Sequence, residues 1–121
     1  MNFPDMNWNQ IDSVEAVETL IRRSFQTPCL IFKHSTRCEI SSIAKYRLEQ
    51  DWAFEKNHLE PYFLDLLAYR PVSAYIADTF QVHHESPQVL IIHQGECVYD
   101  AAHLDIQVNE IAEGLSSIPA S

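Results

Sequence analysis

The run Cys29-Leu30-Ile31-Phe32-Lys33-His34-Ser35-Thr36-Arg37-Cys38-Glu39-Ile40-Ser41 decides how the whole chain is read. It opens with a short, continuous apolar segment behind Thr27-Pro28. Such a segment is too short for a helix and suits a central parallel strand covered on both faces. Lys33 and His34 end the strand, Ser35-Thr36-Arg37 form a polar loop, and a helix starts at Cys38-Glu39. In an open α/β sheet, function sits beyond the carboxyl end of a strand, where the next helix begins. Here that place is His34 to Ser41, and it holds Cys38.

Upstream, Asp12 to Phe25 reads as an amphipathic helix carrying Val14, Val17, Leu20, Ile21 and Phe25 at helical spacing. Asp12 or Ser13 caps it, and Asp12 with Glu15 resembles a capping box. Downstream, a helix from Glu39 to Lys56 carries the stripe Ile40, Ala44, Leu48 and Trp52, thickened by Ile43, and stops at Asn57. Tyr62 to Leu67, around Asp65, reads as a second strand. Arg70-Pro71 opens a third helix, with Pro at its first position, over Val72, Tyr75, Ile76 and Phe80. Val89 to Ile92, the turn Gln94-Gly95 and Cys97 to Tyr99 read as an antiparallel hairpin. Asp105 caps a last helix lined by Leu104, Val108, Ile111 and Leu115, and Ser116 to Ser121 is a frayed tail. The order is α-β-α-β-α-β-β-α. It specifies an α/β, thioredoxin-like fold, a four-stranded mixed sheet flanked by four helices, whose first βα unit forms a right-handed crossover. The expected domain is single, spanning 1–121, with its core at about 12–115.

The charge balance narrows the function. With 8 Lys and Arg against 17 Asp and Glu, the 121-residue chain carries a net charge of -9. A nucleic-acid binder needs clustered cations for phosphates, and an anionic membrane surface repels this charge. Neither partner is expected. No apolar run approaches a membrane span, and Met1 to Gln10 lacks the pattern of a signal peptide. Three cysteines, with no CxxC and no zinc-ligand pair, argue against a secreted disulfide framework and fit a reducing, cytoplasmic setting.

Cys38 is the residue placed for thiol chemistry. Unpaired N–H groups and the helix dipole favour a thiolate at a helix start and lower a Cys pKa. Lys33 and Arg37 add to this, and the adjacent Glu39 opposes it, so a moderately depressed pKa is expected. The spacing Cys38-Glu39-Ile40-Ser41 is a CxxC pattern whose second Cys is Ser. Ser41 reads equally as an ordinary first-turn residue or as a hydrogen-bond donor to the thiolate, but it cannot attack a disulfide. What remains is monothiol chemistry: Cys38 attacks a disulfide, keeps one half, and needs an outside thiol for release. Thioredoxin-like folds place a cis-proline before the third strand, facing the reactive Cys, and Ser86-Pro87-Gln88 stands there. The Ser86 backbone is then placed to pair with an extended substrate.

Three segments together, Phe32 to Ser42, Ala68-Tyr69-Arg70-Pro71-Val72-Ser73 and His84-Glu85-Ser86-Pro87-Gln88, make the chain resemble the YtxJ-like monothiol bacilliredoxins from about Asn7 to Leu115. The resemblance implies removal of bacillithiol from mixed disulfides on proteins. Its reactive Cys maps onto Cys38 and its cis-Pro onto Pro87. It implies no tightly bound cofactor, bacillithiol or a similar low-molecular-weight thiol as co-substrate, and S-thiolated proteins as partners. The family usually has Pro where this chain has Glu39.

Lys33, Arg37 and His84 read as a solvated rim or as cations attracting the two carboxylates of bacillithiol's malate moiety. Cys29 reads as a buried apolar residue and Cys97 as a hairpin residue on or near a sheet edge. His34, His83 and His84 lack the spacing of a metal site. Two other classes of function compete with the oxidoreductase. One is an iron–sulfur cluster or metal carrier of the monothiol glutaredoxin type, although Glu39-Ile40 lacks the glycine of that pattern. The other is a redox-inactive binding module. The pattern leaves the oligomeric state, monomer or otherwise, open.

Overall fold

The computed structural model describes residues 6–118. Five strands form one sheet in the order β1-β3-β2-β4-β5. In chain order the elements are β1 (Asn9–Gln10), α1 (Val14–Arg23), β2 (Cys29–His34), α2 (Glu39–Asp51), β3 (Glu60–Asp65), α3 (Arg70–Phe80), β4 (Gln88–His93), β5 (Glu96–Ala102) and α4 (Val108–Ser116). A 3₁₀ turn at His103–Asp105 separates β5 from α4.

β2 is the central strand, and all of its residues are buried. It runs parallel to β3 and antiparallel to β4. Its alternate residues feed two cores. Cys29 and Ile31 face α1 and α3, packed with Leu20, Leu64, Ile76 and Leu90. Leu30 and Phe32 face α2 and α4, packed with Leu48, Val89, Ile91 and Ile111. The strand alternation places Lys33 on the first side and His34 on the second.

The α/β class and thioredoxin arrangement stand as expected, with one strand more. β1 is a two-residue parallel partner of β3, too short and too polar to show alternation. Several boundaries differ, each for a local reason. Ser13 caps α1 by accepting the Ala16 N–H, so the Asp12–Glu15 box is not formed. Phe25 lies past the helix and is largely exposed. α2 ends at Asp51, not Lys56. The chain turns extended at Trp52, and that indole packs on Phe54 at 4.9 Å and near Trp8 at 6.3 Å. The inward residues of α2 are Ser41, Ala44 and Leu48, whereas Ile40 and Ile43 are exposed. β3 stops at Asp65 because its Oδ1 accepts from the N–H groups of Leu67 and Ala68 and turns the chain there. Pro71 is the second residue of α3 rather than the first. α4 starts behind Gln107, not Asp105, and Leu104 in the 3₁₀ turn is exposed. Ser116 is helical and Ile118 packs on the core, so the tail is ordered to 118; its remainder, 119–121, lies outside the described residues, as does 1–5 of the N-terminal segment. No helix among the described residues is long and apolar enough to cross a membrane.

Candidate functional site

Cys38 is the N-cap of α2, with extended backbone at φ -114° and ψ 119°. Its N–H donates to the Ser35 carbonyl at 3.2 Å, and its own carbonyl accepts from Ser42 at 3.1 Å. The Ser42 bond is the first of the helix, so the amides of Glu39, Ile40 and Ser41 precede the helical ladder. No side chain caps them. A Ser or Asp at the N-cap would close this end of the helix. A cysteine leaves these amides without a side-chain cap.

The other cysteines differ from Cys38 in their surroundings. Cys29 is fully buried in β2, and burial pushes its thiol up to about 12. Cys97, half-buried on β5, is pushed up to about 11 for the same reason, and its thiol donates to the Tyr99 carbonyl. Both are held as thiols at neutral pH, and all three cysteines are free.

Ser41 is fully buried one turn after Cys38. Its Oγ accepts the Ser35 N–H at 3.0 Å and lies 2.7 Å from His34 Nδ1. The hydroxyl thus joins the last residue of β2 to the first turn of α2 and sets the loop that presents Cys38. His34, held among Phe32 and Phe63, has its pKa lowered by burial first and by Lys45 second. Sequence reading did not assign His34 this part; its signal was the strand alternation that turns it toward α2.

Arg37 and Glu39 flank Cys38 and are exposed. Lys33 departs most from expectation. It is completely buried, so it is not part of a solvated rim. Alternation directs it at α3, where Nζ donates to the Ser73 carbonyl at 3.4 Å and to His84 Nδ1 at 3.4 Å. Burial lowers its amine to about 8. His84 is exposed, and Ser73 Oγ lies 3.3 Å from the same Nδ1. Ser73 was not anticipated.

The Ser86–Pro87 peptide is cis. Pro87 is buried, and its carbonyl accepts from His103 at 3.0 Å. The buried Gln88 side chain braces the loop ahead of it, donating to the His83 carbonyl and accepting from Glu85. The Ser86 hydroxyl is buried without a hydrogen-bond partner among the described residues. Pairing of Lys33 with Gln88 and of His34 with Asp65 brings the Cys38 loop, the Pro87 loop and the start of α3 to one end of the sheet. Among the described residues, no group of three His, Cys, Asp or Glu is arranged to hold a metal ion.

The chain is similar to several solved structures. One is described as a provisional oxidoreductase with a thioredoxin fold; it is 30% identical, with a TM-score of 0.77, and the match covers 88% of this chain and 91% of that one. Thioredoxin from Fasciola hepatica is 15% identical with a TM-score of 0.70, covering 89% and 96%. Mitochondrial thioredoxin 3 from Saccharomyces cerevisiae is 12% identical with a TM-score of 0.70, covering 92% and 95%. The last two show the fold alone. The family model described as "Monothiol bacilliredoxin BrxC" matches residues 9–111. With one cysteine at the open start of α2, a serine in the CxxC resolving position and a cis-proline at the same end of the sheet, the chain belongs to the monothiol bacilliredoxin family, thiol-redox proteins built on the thioredoxin fold.

Proposed function

We propose that this protein removes bacillithiol, or a similar low-molecular-weight thiol, from mixed disulfides on other proteins in a reducing cytoplasm. One observation carries the reading: Cys38 stands at an uncapped helix start, and the position one turn on is a buried serine. The Cys38 thiolate attacks the small thiol's sulfur in the mixed disulfide. A new disulfide forms between Cys38 and the small thiol, and the client protein leaves as a thiolate. Ser41 is no nucleophile toward that disulfide. An outside thiolate attacks it, restores the Cys38 thiolate and departs as a disulfide with the small thiol. Sulfur bonds and charges balance in both steps, and no tightly bound cofactor is needed.

Ser86 supports substrate docking beside Cys38. Its backbone, in the loop leading into β4 at the same end of the sheet as Cys38, suits strand-like pairing with an extended client segment. Arg37, exposed next to Cys38, is a cation for the carboxylates of the small thiol, and Glu39 weakens that attraction. His84 lies in the loop ahead of Pro87, and its Nδ1 accepts from the ammonium of Lys33, which contributes charge from within the core.

The test is intact-mass analysis after mixing the reduced protein with a bacillithiolated client. Expected is gain of the bacillithiol mass on Cys38, no gain in Cys38→Ser, and slower transfer from a glutathionylated client. No mass transfer from either client overturns the reading.

A further inference from the structure

Ser41 and His34 form a buried polar pair behind the loop that carries Cys38. Ser41 is fully buried, and His34 is 5% exposed. Among the described residues the Ser41 hydroxyl has two hydrogen-bond partners, the Ser35 N–H at 3.0 Å and His34 Nδ1 at 2.7 Å. The amide only donates, so it occupies a lone pair of the oxygen and leaves the hydroxyl proton without a partner. A buried donor with no acceptor is costly, and His34 Nδ1 is the acceptor in reach. Nδ1 therefore carries no proton, and the neutral ring holds its proton on Nε2. The ring is neutral at neutral pH: burial lowers its pKa first and Lys45 second, against smaller opposite effects of Asp65 on β3 and Glu49 on α2. Lys45 is itself engaged by Glu49 at 3.0 Å, and Phe32 and Phe63 pack against the ring.

Cys38 is the N-cap of α2, and Ser41 is the third residue of its first turn. In a capping box the side chains at these two positions reach across that turn. In the structure the thiol makes no capping bond, and the Ser41 proton is turned to His34. Ionisation of Cys38 changes the accounting. A thiolate is a charged acceptor and draws the hydroxyl proton more strongly than a neutral imidazole nitrogen does. With that proton turned to sulfur, Nδ1 faces an oxygen lone pair and needs a proton of its own.

We propose that His34 is a positioning residue for Cys38 that exchanges tautomers as the cysteine ionises: Nε2–H beside the thiol and Nδ1–H beside the thiolate, with the Ser41 hydroxyl turning from the imidazole to the sulfur. The protons balance. Ser41 gives its proton to Nδ1 and receives the thiol proton of Cys38. The imidazolium so formed releases its Nε2 proton to solvent through the small exposed part of the residue. The net change is loss of one proton from the thiol, and nothing is oxidised or reduced. The proposal rests on the reading of Cys38 as the reacting thiol.

The test is ¹⁵N spectroscopy of the histidine-labelled full-length protein, in which the two neutral tautomers differ in their ring-nitrogen shifts. His34 is assigned by its through-space contacts to Phe32 and Phe63. Cys38 ionisation is followed on the same samples as ultraviolet thiolate absorbance, taken as the difference from Cys38→Ala. Expected is Nε2–H in the thiol form, replaced by Nδ1–H along the thiolate titration, and Nε2–H throughout in Cys38→Ala. Iodoacetamide alkylation of Cys38 at pH 7 is expected to slow about tenfold in Ser41→Ala and in His34→Leu, because the thiolate loses its hydroxyl donor. His34→Asn, whose amide presents oxygen or NH₂ where Nδ1 stood, is expected to stay within about twofold of wild type. A ring that holds Nδ1–H beside the thiol, or keeps Nε2–H through the thiolate titration, overturns the proposal. So does wild-type alkylation in Ser41→Ala, or a His34→Asn as slow as His34→Leu. Should a variant fail to fold, the wild-type spectra decide alone. No bacillithiol enters these measurements, so failure of transfer from a bacillithiolated client removes that substrate and leaves this result standing.

Discussion

Burial lowers the Lys33 amine from an ordinary value of 10.5 to about 8. Between those two values the unfolded chain keeps the proton and the folded chain has released it. The unfolded state therefore binds more protons, and this group makes stability rise with pH across that window. Below about 8 both states are protonated, and the fold carries the full penalty of the buried ammonium, at most about 3 kcal/mol. Lys33→Met keeps most of the volume and removes the charge. It is expected to be about 1–3 kcal/mol more stable than wild type at pH 7, by analogy with apolar replacement of buried ions. The advantage shrinks as pH approaches 10.5. Urea unfolding of both proteins at pH 7 and pH 10 checks this, because groups common to the two cancel in the difference. A variant less stable at pH 7, or a difference constant with pH, contradicts the burial of an unpaired charge. At this scale the sequence was legible for Cys38 but not for Lys33. A lysine after four apolar residues looks like the solvated end of a strand. The alternation of Cys29, Ile31 and Lys33 was the available sign that it points into the α1–α3 layer.

Gly114 shows how an element's neighbours overrule its intrinsic preference. It lies within α4, where glycine is less favourable than alanine by about 1 kcal/mol. A Cβ there would stand 2.6 Å from Cδ1 and 2.7 Å from Cγ of Tyr99 on β5. Cγ is near the root of the ring, so rotation of the side chain tip does not clear the clash. Gly114→Ala is therefore expected to destabilise by about 1–3 kcal/mol despite its helix propensity. Thermal or urea unfolding checks it; a gain in stability would mean that α4 shifts freely on β5. The hairpin behaves more locally. Gln94 and Gly95 both adopt positive φ, 51° and 80°, the turn geometry that matches strand twist. Their amides donate to the Ser24 carbonyl and hydroxyl, which docks the hairpin on the end of α1. That turn was readable from Gln94-Gly95. The limits of α2 were not, because its apolar stripe continues in register through Ile40 and Ile43, which tertiary packing leaves exposed. The helical stripe extends to Trp52, yet the aromatic cluster with Trp8 and Phe54 holds that residue in extended backbone. β1 carried no sequence signal, being held by pairing with β3 rather than by its own pattern.

Across the whole molecule, the strand order turns separate sequence motifs into one site. β2 and β3 end at His34 and Asp65, which are register partners, and β4 begins at Gln88 opposite Lys33. The loops carrying Cys38, Arg70 and Pro87 therefore meet at one end of the sheet, although they are far apart in the chain. The same architecture grades the three thiols. Cys29 sits in the central strand between both neighbours, paired with Glu60 and Ile92, and is fully buried. Cys97 lies on the edge strand beside an irregularity, since Ile91 pairs with Tyr99 and Ile92 with Cys97, leaving Val98 as the extra residue. Cys38 lies in no strand. Alkylation of the reduced native protein with iodoacetamide is thus expected to label Cys38 first, Cys97 after local opening of β5, and Cys29 only through global unfolding. In increasing urea, the Cys29 rate should rise with the slope of the equilibrium unfolding transition, because labelling it requires the same exposed surface. Peptide mass mapping over time separates the three sites. Labelling of Cys29 on the Cys38 timescale would contradict a β2 buried between two cores, and with it the rigid strand end from which Cys38 is presented.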